Sequence, residues 1–365
     1  MNGKILIITA STGQGHNSVA DSLKNELQDK GYEVKCIEPI RESAKMLDKV
    51  VSGGYEILAT KTPTLFGMLY KASNHRVTSV GLNKIMGSSI KESTYEIIKE
   101  YKPSLIISTH PLLVSVISSL KDAGKIDIPF ISVVTDYKAH SSYVNSRVDG
   151  YIVGSNYTKS SLLEKGVDEN RVHTYGIPIK RTFLNSSNSL KQDDMFTILL
   201  MGGSMGVKSM KKALMRIMEV DVPIRVIVVC GNNVMLKQEL EGIYESVPLD
   251  KQLIILGYTQ KISELMDVSD VIITKAGGLT ITEALNKKLP IIVPYYIPGQ
   301  EEENVTFLVG EEAALYTEVD RLDEVVKELF NNPKRLEAMK ENIERIIKDT
   351  SLDSTVDLLT SLLAM

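Results

Sequence analysis

The chain has 365 residues, 43% of them hydrophobic, with 42 Lys+Arg against 46 Asp+Glu, no Trp and two Cys. This length favours two domains at roughly 100 to 200 residues each, and the apolar content excludes a disordered or collagen-like chain. Cys36 and Cys230 stand far apart with no C-x-x-C spacing, which argues against a disulfide framework or a structural zinc site and fits a reducing compartment.

The first element is a short strand, KILIITA at 4–10, that runs directly into a polar Gly turn. A secretory signal needs an apolar core of about 7–15 residues, and a membrane span needs about 18 or more apolar residues. Neither is present, so a cytoplasmic protein with only peripheral membrane contact is expected. Further Ile/Val-rich runs follow: SLIISTH at 104–110, FISVVTD at 130–136 and GYIVGS at 150–155. The second half adds TILLMGGS at 197–204, IRVIVVCG at 224–231, LIILGY at 253–258, DVIITKAGG at 270–278 and PIIVPY at 290–295. Unbroken apolar runs suit strands buried on both faces, and their alternation with helices predicts parallel α/β layering.

A polar stretch from Asn185 to Asp194 has the composition of a linker. The expected fold class is therefore α/β, with two doubly wound Rossmann-like domains facing each other across a cleft. The boundaries expected are 1–187 and 188–350, with a C-terminal helix at 351–365 whose docking the sequence leaves open. Up to Ser187 there are 23 Lys+Arg and 18 Asp+Glu, and beyond it 19 and 28. That asymmetry suggests different partners for the two halves.

Open α/β sheets bind ligands beyond the carboxyl ends of their strands, so the strand-end turns are the candidate sites. The first turn, Thr12-Gly13-Gln14-Gly15-His16, leads into a helix with Ala20, Leu23 and Leu27 on one face. Gly13 and Gly15 permit a tight turn and close backbone approach. His16 is a candidate general base, because imidazole titrates near neutral pH; the plain alternative is a histidine capping its helix. The turn lacks both the third Gly of a dinucleotide fingerprint and the K-[ST] of a P-loop.

Residues 57–91 hold five basic residues, Lys61, Lys71, Arg76, Lys84 and Lys91, and no acidic one. Apolar side chains, Phe66 and Tyr70 among them, stand between the cations. Such interleaving suits a segment on an anionic bilayer, the alternative being core helices with a basic outer face. Further on, Thr109-His110-Pro111 and Val134-Thr135-Asp136-Tyr137-Lys138-Ala139-His140 end strands. Asp136 and His140 are placed to assist proton removal or orient an acceptor, with hydrogen-bonded packing as the competing role for His110 and His140.

In the second half, Gly202-Gly203-Ser204-Met205-Gly206 forms an anion cradle at a strand-to-helix turn. Tyr258 lies in a turn able to present backbone groups to a nucleobase. Lys275-Ala276-Gly277-Gly278-Leu279-Thr280 opens another helix whose N-terminus suits a diphosphate, with Thr280 adding a hydroxyl. Glu283, about one turn in, suits two vicinal ribose hydroxyls. The loop with Gln300, Glu301 and Asn304 then reads as a sugar-contacting segment. No His/Cys/Asp/Glu cluster has metal-ligand spacing, so no metal is expected.

The sequences STGQGHNSVADSL, VVTDYKAH, GGSMG, KAGGLTITEA and PYYIPGQEEEN resemble, in this order, the GT-B glycosyltransferases of family 28 that make glycolipids. The likeness is to bacterial processive diacylglycerol beta-glucosyltransferases and plastid monogalactosyldiacylglycerol synthases, and it spans nearly the whole chain. It implies inverting, metal-independent transfer of glucose or galactose from a UDP-sugar to diacylglycerol, with no cofactor. It also implies a UDP-binding second domain, in which Gln300 and Glu301 read sugar hydroxyls, and a first domain that meets anionic lipids at the inner face of the cell membrane. His16 is the first choice of base and Asp136 the second; no nucleic-acid partner is expected. Two departures stand out: the first turn has fewer glycines than the plastid enzymes, and Tyr143 replaces an aromatic that is often Trp. The competing readings are a UDP-sugar 2-epimerase, transfer of N-acetylglucosamine to another lipid, and a non-catalytic UDP-sugar-responsive membrane-binding protein.

Overall fold

A computed structural model describes residues 3–11, 14–39, 83–185, 191, 193–202, 207–244 and 247–363. The chain divides into two compact units. The first is Met1–Lys180 with Pro298–Gln300 and Asp349–Met365, and the second is Arg181–Ile297 with Glu301–Lys348.

In the first unit the strands are β1 (Lys4–Ile8), β2 (Glu33–Ile37), β3 (Leu105–Ser108), β4 (Phe130–Val133), β5 (Gly150–Ile152) and β6 (Val172–His173). They pair in parallel in the order β2-β1-β3-β4-β5-β6. The helices are α1 (Gln14–Asp29), α2 (Asn83–Tyr101), α3 (Pro111–Asp122) and α4 (Asn156–Leu163). Side chains of β1, β3 and β4 are almost wholly buried, and Leu6, Ile106, Phe130, Leu113 and Ile117 share one core. Such double-sided burial is why these strands appear as unbroken apolar runs. Edge strands β2 and β6 are alternating or short, and the apolar-run reading did not find them.

The second unit repeats the plan. Its strands are β7 (Phe196–Met201), β8 (Ile224–Val229), β9 (Lys251–Leu256), β10 (Val271–Thr274), β11 (Ile291–Val293) and β12 (Ala314–Tyr316), ordered β12-β11-β10-β7-β8-β9. Its helices are α5 (Val207–Met218), α6 (Val234–Ile243), α7 (Ile262–Asp267), α8 (Gly278–Asn286), α9 (Gln300–Gly310), α10 (Leu322–Asn331) and α11 (Pro333–Ile347). Ile198, Leu200, Val226, Ile273 and Ile292 join helix residues Leu214 and Val326 in its core.

The last helix, α12 (Leu352–Ser361), returns to the first unit and packs on α1. Ser351 N–H donates to Tyr175 O at 2.8 Å, and the Ser351 side chain caps α12. This settles where the C-terminal segment docks, a question of topology rather than of helix periodicity. Among the described residues, no helix is long and apolar enough to cross a membrane.

Each sheet has a point where the winding reverses, between β1 and β3 in the first and between β7 and β10 in the second. The crevice at the carboxyl end of such a reversal is where doubly wound sheets hold ligands.

Candidate active site

In the first unit the reversal brings the start of α1 against the end of β3. His16 Nδ1 lies 2.7 Å from the Thr109 carbonyl oxygen and 3.1 Å from Thr135 Oγ1. A carbonyl can only accept, so Nδ1 carries the proton and Nε2 keeps its lone pair. Thr135 Oγ1 in turn lies 3.2 Å from the buried Tyr143 hydroxyl. The ring of His110 packs edge-on against His16, centroids 4.4 Å apart. Burial lowers the pKa of His16 to about 4 against an opposing contribution from the Thr109 hydrogen bond. His110 is held well below its ordinary value by burial and then by His16. Both imidazoles are therefore neutral at physiological pH, and His16 offers Nε2 as a base.

The sequence explains this placement. Pro111 fixes the first residue of α3, and His110 Nδ1 accepts from Leu112 N–H as its cap, which leaves Thr109 as the residue just beyond β3, with its carbonyl at the reversal. A second polar chain, Thr109 Oγ1 to Thr9 Oγ1 to Asn17 Oδ1, each link 2.9 Å, ties β3 to β1 and α1 beneath the histidine. Asn17 continues it to Ser11 and Glu38. Thr109 and Thr135 are the supports that motif reading did not assign, although both stood in the strand-end segments it singled out.

Asp136 is buried and accepts a hydrogen bond from Gln300 Nε2 at 2.5 Å. The turn that delivers Gln300 passes through Gly299 at φ 102°, a conformation glycine adopts without strain. His140 Nδ1 bonds Ser142, capping the short turn Ser141–Tyr143. Gly15 lies in the first turn of α1. Gly13, Phe66, Tyr70, Lys71 and Arg76 lie outside the described residues, as does the side chain of Lys84 in α2. Lys91, in the same basic stretch, donates to Ser119 O at 3.2 Å.

In the second unit the reversal joins Gly202, just beyond β7, to the turn 275–278 beyond β10. Gly203, Ser204, Met205 and Gly206 lie outside the described residues. Gly277 precedes α8 in an extended conformation and provides no side-chain cap for the first N–H groups of that helix. Lys275 Nζ pairs with Glu301 and sits 3.3 Å from where a Cβ on Gly277 would stand. A lysine paired with Glu301 and a helix N-terminus thus share one spot, and the helix end favours an anion there.

Glu301 is buried, with Oε1 on Lys275 and Oε2 accepting from Ile297 N–H at 2.9 Å. Asn304, fully buried, donates to Ala276 O at 2.9 Å and braces the turn. Leu279, Thr280 and Glu283 are half-buried on α8, Gly278 is buried, and Tyr258 is exposed. Among the described residues, no group of three or more His, Cys, Asp and Glu stands close enough to hold a metal ion.

Two family profiles match the chain: that described as monogalactosyldiacylglycerol (MGDG) synthase over residues 16–179, and the glycosyltransferase family 28 C-terminal domain over 197–353. Over 358 residues the chain is 32% identical to the processive diacylglycerol beta-glucosyltransferase of Bacillus licheniformis, covering 94% of this chain and 91% of that one. It belongs to the diacylglycerol glycosyltransferase family. The fold of this glycosyltransferase is that of Acinetobacter baumannii MurG, with a TM-score of 0.65 at 17% identity over 98% of this chain and 99% of that chain. The glycosyltransferase SnogD from Streptomyces nogalater superposes with a TM-score of 0.62 at 15% identity, over 100% of both chains. The GT-B architecture expected from the sequence is therefore the architecture of this glycosyltransferase, and both candidate sites stand at the winding reversals of their sheets.

Proposed function

We propose that this glycosyltransferase transfers glucose or galactose from a UDP-sugar to the hydroxyl of diacylglycerol at a membrane surface, with inversion at the anomeric carbon. The first unit takes the acceptor and supplies the base; the second holds the nucleotide. The observation that carries the chemistry is the tautomer of His16, fixed by Thr109 so that Nε2 is the acceptor atom. The acceptor oxygen attacks C1 of the hexose, the bond from C1 to the phosphate oxygen breaks, UDP leaves with the electron pair, and the hydroxyl proton passes to His16 Nε2. Charge growing on UDP is met by Lys275 and the N–H groups at the start of α8, dipoles already oriented before reaction. Asp136, through Gln300, is assigned to orienting the acceptor.

Incubation with UDP-glucose or UDP-galactose and diacylglycerol in anionic vesicles, followed by mass spectrometry of the lipid extract, tests the proposal. A hexosyl-lipid is expected; none with either donor would end this reading. Vesicle binding is expected to weaken with salt, because basic residues near an anionic bilayer act through screened charge.

Glu283 is proposed to accept both ribose hydroxyls. Glu283→Ala should weaken UDP binding about tenfold or more, since a charge-assisted hydrogen bond contributes about 1.5–3 kcal/mol. Calorimetric titration with UDP checks it, and an unchanged affinity would remove Glu283 from the ribose.

A further inference from the structure

The hydroxyl oxygen of Tyr295 is buried and has no hydrogen-bond partner among the described residues. Buried hydroxyls are nearly always paired, so an unpaired one at a strand end calls for a physical reason. Tyr295 stands two residues beyond β11, and Gly202 stands one residue beyond β7, with β10 between those strands. A Cβ built on Gly202 would nevertheless lie 3.2 Å from Tyr295 Oη. The phenol therefore crosses the carboxyl end of β10, over the place where the chain turns through Lys275 into α8. The same Cβ would meet Met210 Sδ at 2.7 Å, so a side chain at this position would force Met210 to shift. Tyr295, Gly202, Met210 and Lys275 all belong to the second unit.

Glu301 is near, but its carboxylate already receives Lys275 Nζ and Ile297 N–H. Burial, and secondarily that carboxylate, raise the phenol above its ordinary pKa, so it keeps its proton. Tyr295 thus holds a protonated hydroxyl at a winding reversal whose other features, a lysine and a helix N-terminus, favour an anion.

We propose that Tyr295 is a further donor-binding residue, its hydroxyl giving a hydrogen bond to an oxygen of the diphosphate held between Gly202 and the start of α8. This rests on the reading of the second unit as the UDP-sugar-binding unit. Diphosphate oxygens accept and do not donate, which matches a hydroxyl whose free capacity is its proton. The hydroxyl, unpaired among the described residues, gains its partner when the nucleotide binds, so folding and binding pull in opposite directions on this one atom.

The opposition provides the test. Tyr295→Phe in the full chain should weaken UDP binding about tenfold by calorimetry, as expected for loss of one hydrogen bond to a charged group. Binding of uridine, which lacks phosphates, should not change. The thermal midpoint without nucleotide should stay level or rise, because phenylalanine leaves no buried hydroxyl unpaired. Equal UDP affinity in the two proteins would overturn the assignment, as would a parallel loss for uridine. A wild-type protein that binds no UDP would instead overturn the nucleotide-binding reading beneath it, so the two failures are told apart by the wild type alone.

Discussion

His16→Ala should lower kcat by about 10²–10⁴-fold, the usual contribution of a positioned general base, while UDP affinity stays within about twofold. The two readouts divide because His16 belongs to the first unit, held by Thr109 and Thr135, whereas the nucleotide is assigned to the second. Steady-state turnover on diacylglycerol vesicles and calorimetry with UDP check both. A large loss of UDP affinity would make His16 a nucleotide ligand instead. The pH profile carries a second signature. As the proposed base His16 would act deprotonated, and burial lowers its pKa to about 4. kcat/KM should therefore hold its plateau from pH 8 down to about 5 and fall only as the medium approaches that value. An acid limb near 6.5 would mean an ordinary, solvated imidazole. A base this weak would suffice in the proposed reaction if the proton moves late, because the acceptor hydroxyl becomes strongly acidic as its oxygen bonds to C1. The same burial disfavours His⁺ in the folded state, so stability should decline as pH falls from 6.5 toward 4.

Much of this arrangement was legible in the sequence. Strands buried on both faces announce themselves as Ile/Val runs, and the turns that follow them carry the candidate sites: His16 after β1, Gly202 after β7 and Gly277 after β10. What was not legible is cross-chain geometry. The tautomer of His16 depends on a carbonyl 93 residues away and a hydroxyl 119 residues away, contacts that only the strand order β1-β3-β4 creates. Tyr295 was hidden for a similar reason, since nothing in PIIVPYY indicates that one phenol crosses a neighbouring strand end. The acidic loop shows how composition leaves roles open. From Gln300 to Asn304 it suggests sugar contacts, and in the structure Gln300 bonds Asp136, Glu301 pairs with Lys275 and Asn304 bonds the backbone of Ala276. Each of these contacts lies within its own unit: Gln300 with Asp136 in the first, and Glu301 and Asn304 with the turn before α8 in the second.

Lys287→Met should destabilise the second unit by about 3–5 kcal/mol. Lys287 closes the C-terminal end of α8, and its ammonium is inaccessible to solvent, as is nearly all of the Asp267 carboxylate it meets at 2.9 and 3.0 Å. It also donates to Asn185 O at 2.6 Å, tying α8 and α7 to the segment that leads into the unit. Methionine fills the space of the lysine stem but leaves a buried carboxylate without its cation, and that uncompensated charge is the source of the loss. Adding Asp267→Leu should recover most of it, because two apolar side chains often replace a buried ion pair at little cost. The carbonyl of Asn185 still loses its donor, so recovery should stop about 1 kcal/mol short. Urea unfolding, with amide exchange in α8 and β10 to localise the change, measures both variants. A single-variant loss below about 1 kcal/mol would show that water reaches the pair. The consequence extends to function, since α8 carries the proposed diphosphate site at its other end. A helix loosened at Lys287 should present its N-terminal N–H groups less rigidly, so Lys287→Met should also weaken UDP binding in the folded protein, and the double variant should restore it.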